Sequence, residues 1–373
     1  MQEAYKQRRL KFIISGGGTG GHIFPAIAIA NTLKKINENV EILFVGAKGK
    51  MEMEKVPAAG YPIEGLWISG LQRKLTLKNL LFPFKVIYSL IRAKKIINEF
   101  MPDAVVGVGG YASGPTLRVA SKKGIPTLIQ EQNSYPGITN KLLAKNVDKI
   151  CVAYDGMEKY FPENKIVKTG NPIRQDVIDI KGKKEEALRF FNLDDKKKTL
   201  LVVGGSQGAV SINKNIHKFL ELFMDNNVQI IWQTGKLYFE EACEATNETV
   251  EKGIKAVEFI DRMDYAYAAA DVIVSRAGAI AISEICAVQK PTVFVPLPFA
   301  AEDHQRKNAQ ALVDKNAALM ILNHEASDKL GSMVIDLIKD EDKQNEFSRN
   351  LSKLAIKNAS ERIVDEIFCL TKL

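Results

Sequence analysis

The sequence predicts an α/β protein of two Rossmann-like domains, each a doubly wound parallel sheet. Two observations carry that expectation. Short apolar runs alternate with helical patterns along most of the 373 residues, a rhythm that gives parallel sheets covered by helices on both faces. Glycine-rich turns also stand where strands hand over to helices: Gly16 to His22 (GGGTGGH), Gly109 to Pro115 (GGYASGP) and Gly204 to Ala209 (GGSQGA). The first and third turns lie 188 residues apart, Gly16 to Gly204, and the length suits two α/β cores better than one.

In order along the first half, strands are expected at Lys11 to Ser15, Val40 to Gly46, Tyr61 to Ile68, Asp103 to Val108, Pro126 to Glu131 and Lys149 to Ala153. Each is a short apolar or β-branched run bounded by turn residues. Helices are expected between them, among others at Ala26 to Ile36, Phe84 to Phe100 and Thr116 to Lys122. Pro25 suits a first helical turn, where its missing N–H costs nothing. Ile87, Leu90, Ile91 and Ile97 recur at helical spacing and read as core. The second half repeats the rhythm with strands at Thr199 to Val203, Val228 to Gln233, Ala256 to Ile260, Asp271 to Ser275, Pro291 to Pro296 and Ala317 to Leu322. Lys165 to Arg174, with Gly170, Asn171 and Pro172, is the linker candidate. The expected domains are 1–170 and 171–354, with a last helix of about 355–373 long enough to pack back on the first.

Charge divides unevenly. Residues 1–170 hold 25 Lys and Arg against 13 Asp and Glu, and residues 171–373 hold 27 against 31. A solubility charge would be spread, so the asymmetry points to an anionic partner for the first half. The four cysteines, Cys151, Cys243, Cys286 and Cys369, are too scattered for a disulfide framework or a zinc site, and a reducing compartment is expected. No apolar run approaches the ~18 residues of a membrane span. The apolar residues after Arg9 run straight into the first glycine turn and read as a folded strand rather than a signal.

Glycine turns at helix starts bind phosphate, because side-chain-free N–H groups converge there with the helix dipole. Gly16, Gly18 and Gly21 match the dinucleotide fingerprint, but the second strand ends Phe44-Val45-Gly46-Ala47-Lys48 without the acid that a ribose diol needs. No Gly-Lys pair is followed by Ser or Thr, so a P-loop is excluded. His22, at a helix start where the dipole disfavours protonation, reads as a base or as a cap and phosphate ligand. Glu131 ends an apolar strand at the ligand-bearing edge and reads as a base or a loop anchor. Glu284, near the start of a helix, reads as a ribose ligand or an ordinary N-terminal acid. Asp340-Glu341-Asp342 matches a metal-binding DxD but lies in a charged stretch between late helices, so no essential metal is expected. Leu66 to Lys95 interleaves apolar and aromatic residues with Arg73, Lys74, Lys78, Lys85 and other cations and contains no acid. Together with Leu80 and Phe82 these residues form a face suited to an anionic bilayer.

Taken together, GGGTGGH, GGYASGP, EQN (131–133), TGNPIR (169–174), GGSQGA, EFIDRM (258–263), SRAGAIAISE (275–284) and HQRKNA (304–309) resemble the MurG family of peptidoglycan glycosyltransferases. The resemblance spans nearly the whole chain; Ala112 and Phe299 stand at variable positions. It implies a GT-B fold, two Rossmann-like domains facing a cleft. It also implies inverting transfer of N-acetylglucosamine from UDP-N-acetylglucosamine to the 4-hydroxyl of lipid I, giving lipid II for the cell wall. Around the donor it puts Thr19, Gly20, Gly21, Asn133, Arg174, Ser206, Ile260, Ala279, Ile280, Ala281, Ile282, Ser283, Glu284 and Gln305. At the acceptor diphosphate it puts Gly18, Gly109, Gly110, Tyr111 and Ser113. His22 is the first choice for base and Glu131 the second. The expected partners are UDP-N-acetylglucosamine as substrate, lipid I, an anionic membrane surface and cell-wall synthesis proteins, with no nucleic acid and no cofactor. The expected location is the cytoplasmic face of the cell membrane. A GT-B epimerase of UDP-N-acetylglucosamine and a non-catalytic membrane binder are the alternatives.

Overall fold

The computed structural model describes residues 9–70, 81–205, 207–247, 253–298, 300 and 303–371. Its contacts divide the chain into one unit of Met1–Ile173 with Asn358–Leu373 and a second of Arg174–Lys357. The first unit runs β1 (Lys11–Ser15), α1 (Gly20–Ile36), β2 (Glu41–Ala47), α2 (Glu52–Ala58), β3 (Ile63–Leu66) and α3 (Phe82–Phe100). It continues with β4 (Ala104–Gly107), α4 (Ser113–Lys122), β5 (Thr127–Glu131), α5 (Ile138–Leu143), β6 (Lys149–Val152) and β7 (Ile166–Lys168). These strands form one parallel sheet in the order β3-β2-β1-β4-β5-β6-β7.

The second unit opens with α6 (Gln175–Ile178), α7 (Lys184–Phe191), β8 (Lys198–Val203), α8 (Val210–Lys218), α9 (Leu220–Asp225) and β9 (Val228–Gln233). Then come α10 (Phe239–Thr246), β10 (Ile254–Val257), α11 (Met263–Ala269), β11 (Val272–Ser275) and α12 (Ala279–Val288). It ends with β12 (Thr292–Phe294), α13 (His304–Val313), β13 (Leu319–Met320), α14 (Ala326–Lys339) and α15 (Glu341–Leu354). The sheet order is β10-β9-β8-β11-β12-β13, again parallel. The last helix, α16 (Ala359–Leu370), belongs to the first unit.

Strand alternation fills both layers of the first unit. Phe12 and Ile14 face one side with Ile23, Ile29 and Leu33 of α1 and Ile363, Val364, Ile367 and Phe368 of α16. Ile13 faces the other with Ala93, Ile96 and Ile97 of α3 and Leu117 and Ala120 of α4. In each sheet the strand order reverses once, between β1 and β4 and between β8 and β11. The crevice beyond the carboxyl ends at such a reversal is where open α/β sheets bind ligands.

Three expectations need correction. Helix α1 begins at Gly20, so Pro25 lies in its second turn rather than its first, because the glycine turn feeds the helix directly. The linker candidate contains β7, an edge strand paired with β6. On α3 the buried face is Ser89, Ala93, Ile96 and Ile97, whereas Ile87 and Ile91 are 57% and 66% exposed. The helix carries two apolar stripes, and spacing alone does not say which one is core. No described helix is long and apolar enough to cross a membrane.

Candidate active site

The first and second glycine turns follow β1 and β4, which pair in register with Ser15 opposite Gly107. The turns touch: a side chain on Gly110 would strike the Gly17 carbonyl, and a Cβ on Gly109 would lie 2.8 Å from His22 Nε2. Gly109 and Gly110 also hold φ values of 93° and 87°, which L side chains avoid. Only glycines allow the two loops to lie this close.

His22 sits in the first turn of α1 with its ring against that junction. Nδ1 is 3.1 Å from the Gly17 carbonyl and 3.3 Å from Thr19 Oγ1. A carbonyl can only accept, so Nδ1 carries the proton and Nε2 is the basic nitrogen on the side of Gly109. Thr19 and Gly21 are exposed and Gly20 half-buried at the open end of α1.

Other expected residues of this unit are already engaged. Glu131 is 2% exposed. Its Oε1 accepts from Asn133 N and Nδ2 at 3.0 and 3.2 Å, and its Oε2 from Gly137 N and Asn140 Nδ2 at 3.1 and 2.9 Å. Four donors saturate the carboxylate, so the geometry makes Glu131 the anchor of the loop that carries Asn133 and leaves no lone pair for a base. The Ser113 hydroxyl is fully buried and shares its one proton between Ser15 O at 2.7 Å and Gly109 O at 2.9 Å. It pins the second turn to β1 instead of facing a ligand. The Gly18 N–H donates to Glu52 Oε2 at 2.8 Å, a residue the motifs did not single out. Tyr111 is exposed, its ring over Gly70.

In the second unit the third glycine turn follows β8, beside β11 and its SRAGA turn. Ser206 lies outside the described residues. Gln233, also unforeseen, ties the site together: Nε2 donates to Gly205 O and Oε1 accepts the Ile260 N–H, both at 3.0 Å. Buried Arg276 donates to Val295 O, Pro296 O, Asn323 Oδ1 and Ser211 Oγ. It braces the turns after β11 and β12 against α8, and burial lowers its pKa to about 10.

Glu284 lies in the second turn of α12 and accepts the Tyr267 hydroxyl at 3.1 Å. Burial pushes its carboxyl up to about 7, against the opposing pull of Tyr267 and Arg174. Arg174 is exposed at the start of α6. Ala279 and Ile282 are buried, Ile280, Ala281 and Ser283 half-buried, and the Ser283 hydroxyl donates back to Ala279 O at 3.0 Å. This stretch therefore offers a ligand its backbone rather than the side chains of Ile282 or Ser283. Gln305 Oε1 accepts the Leu297 N–H at 2.9 Å.

The DxD stretch is a helix start. Asp340 caps α15 by accepting from Lys343 N at 2.9 Å, and Glu341 pairs with Lys198 at 2.8 Å. Among the described residues no group of three or more His, Cys, Asp or Glu is arranged to hold a metal ion. Of the cationic apolar face, Arg73, Lys74, Lys78 and Leu80 lie outside the described residues. Phe82 is half-buried. Lys85 donates to Ser69 Oγ at 2.9 Å and lies over the Trp67 ring.

Residues 12–152 match the glycosyltransferase family 28 N-terminal domain and residues 199–363 the family 28 C-terminal domain. The chain belongs to glycosyltransferase family 28. A family relative from Flavobacterium psychrophilum is 54% identical over 97% of this chain and 98% of its own length. It is a UDP-N-acetylglucosamine--N-acetylmuramyl-(pentapeptide) pyrophosphoryl-undecaprenol N-acetylglucosamine transferase. The crystal structure of Acinetobacter baumannii MurG superposes with a TM-score of 0.78 at 27% identity, over 96% of this chain and 99% of that one. A UDP-N-acetylglucosamine 2-epimerase shares the fold at a TM-score of 0.63 and 15% identity, over 97% and 96%. The two parallel-sheet units are thus the domain pair of a GT-B glycosyltransferase of family 28.

Proposed function

We propose that the protein transfers N-acetylglucosamine from UDP-N-acetylglucosamine to the 4-hydroxyl of lipid I, forming lipid II for the cell wall. The observation that carries this reading is the 54% identity, over almost the full length of both chains, to a transferase named for this donor and this acceptor. The acceptor oxygen attacks the anomeric carbon as the bond to UDP breaks, with inversion. His22 Nε2 takes the hydroxyl proton. In the second unit Glu284 receives the ribose hydroxyls and the Ile260 backbone the uracil. The third glycine turn with Ser206, Arg174 and the start of α12 stabilise the departing diphosphate. Gln305 reads the sugar hydroxyls, and Thr19, Gly20, Gly21 and Asn133 complete the donor surroundings. The backbone of Gly109 and Gly110, with Tyr111, receives the acceptor diphosphate.

The acceptor's polyprenyl tail stays in the bilayer, so the first unit rests on the cytoplasmic face of the membrane. Phe84, Ile87, Tyr88 and Ile91 on α3, exposed beside Leu81 and Trp67, support that contact.

Transfer of labelled N-acetylglucosamine to a lipid I analogue tests the reading. His22→Ala should lower turnover by roughly two to four orders of magnitude with UDP binding retained. The epimerase that shares the fold marks the rival: formation of an epimer from donor alone, with no transfer to acceptor, would select it.

A further inference from the structure

Glu52 is 1% exposed, at the first residue of α2. Its Oε1 accepts the Ala47 N–H at 2.9 Å and its Oε2 the Gly18 N–H at 2.8 Å. Gly17 and Gly46 make room for it, since a Cβ on either would run into the Glu52 side chain. The Gly18 N–H and the Gly17 carbonyl are the two ends of one peptide unit, and a trans peptide is planar, so holding one end aims the other. That other end is the carbonyl 3.1 Å from His22 Nδ1.

We propose that Glu52 is a positioning residue for His22, acting through the Gly17–Gly18 peptide to hold the ring as the Nδ1–H tautomer with Nε2 basic. The proposal rests on the reading of His22 as the base and deepens it. A carboxylate can only accept, so it binds the N–H end of the peptide and repels the carbonyl end; the plane has one favoured orientation. Drawing on the N–H also polarises the amide and strengthens its carbonyl as an acceptor. Gly18, at φ 87° with open space where a Cβ would stand, puts no steric bar in the way of a flip, so the charge of Glu52 supplies the restraint. An amide in its place offers both a donor and an acceptor and lets the peptide sit either way round. Flipped, the peptide would present an N–H to His22 and favour the opposite tautomer.

The test uses the full chain with ¹⁵N-labelled histidine at about pH 8.5, where an ordinary imidazole is neutral. The His22 signals are assigned by their loss in His22→Ala, a small task in a chain with four histidines. The parent should show Nδ1–H, and Glu52→Gln should move the ring toward Nε2–H. Turnover of Glu52→Gln should fall roughly 10- to 100-fold, the size seen when a residue that orients a metal-ligating histidine is lost, with UDP affinity unchanged. In a His22→Ala background the same substitution should cost nothing further, because its effect passes through His22. A parent ring in the Nε2–H form overturns the proposal without any variant, and so does a loss that multiplies in the double variant. Should His22→Ala leave turnover intact, it is the base assignment that fails, and the tautomer comparison still decides whether Glu52 sets the ring.

Discussion

Glu284 faces opposing demands on its charge. Burial holds its carboxyl near 7, above the ordinary 4.5, so the folded second unit binds a proton there more tightly than the unfolded chain does. Its stability should therefore fall as pH rises from about 4.5 through 7. In its proposed role as ribose ligand Glu284 must accept as a carboxylate, so UDP affinity should rise over the upper part of the same range. Calorimetric titration with UDP at about pH 6 and pH 8 should show tighter binding at the higher value, and Glu284→Gln should flatten the difference. Glu284→Ala should weaken donor binding roughly 10- to 150-fold, for a charge-assisted bond of about 1.5 to 3 kcal/mol; an unaltered donor constant in the folded variant removes Glu284 from the site. Glu284 could be picked out in the sequence because it follows a glycine-bearing strand-to-helix turn closely, in the helix that this turn starts. Glu52 and Gln233 could not. Each reaches a turn that belongs to a distant part of the chain, and locally Glu52 is only an acid at a helix start.

At the level of elements, the strands around the glycine turns were legible because strands buried on both faces read as unbroken apolar runs; Lys11–Ser15 and Val228–Gln233 lie where the pattern puts them. Strand β7 was missed because a three-residue edge strand, partly exposed and ending in Lys168, carries no such run. Helix α3 shows the limit of periodicity. Its exposed stripe, Phe84, Ile87 and Ile91, repeats at the same interval as its buried one, and only the fold distinguishes them. Serine at all three positions should change stability little, since these side chains are 66%, 57% and 66% exposed. Sedimentation with anionic vesicles should nevertheless drop at least tenfold, and activity on a short-chain, water-soluble acceptor should persist. Vesicle binding equal to the parent's would move the membrane contact off this helix.

On the scale of the whole molecule, two units with separate cores should melt as separable transitions. With the donor site proposed for the second unit, UDP should raise only that unit's transition, by an increment that grows with the logarithm of its concentration. Phe368→Ala should act on the other. Phe368 is 1% exposed and meets Phe12 edge-on at 6.1 Å between ring centres, so its truncation should cost the first unit about 3 to 5 kcal/mol. Differential scanning calorimetry with and without UDP checks both expectations. The placement of α16 also sets an order of events at the ribosome. A domain normally completes itself before the next one is made, but here the sheet that begins at Lys11 waits for Ile363, Val364, Ile367 and Phe368, which are translated after the entire second unit. The first-born half of this enzyme is the last to be finished, and a nascent chain stalled before α16 exposes the apolar flank of β1 and α1 to chaperones and proteases.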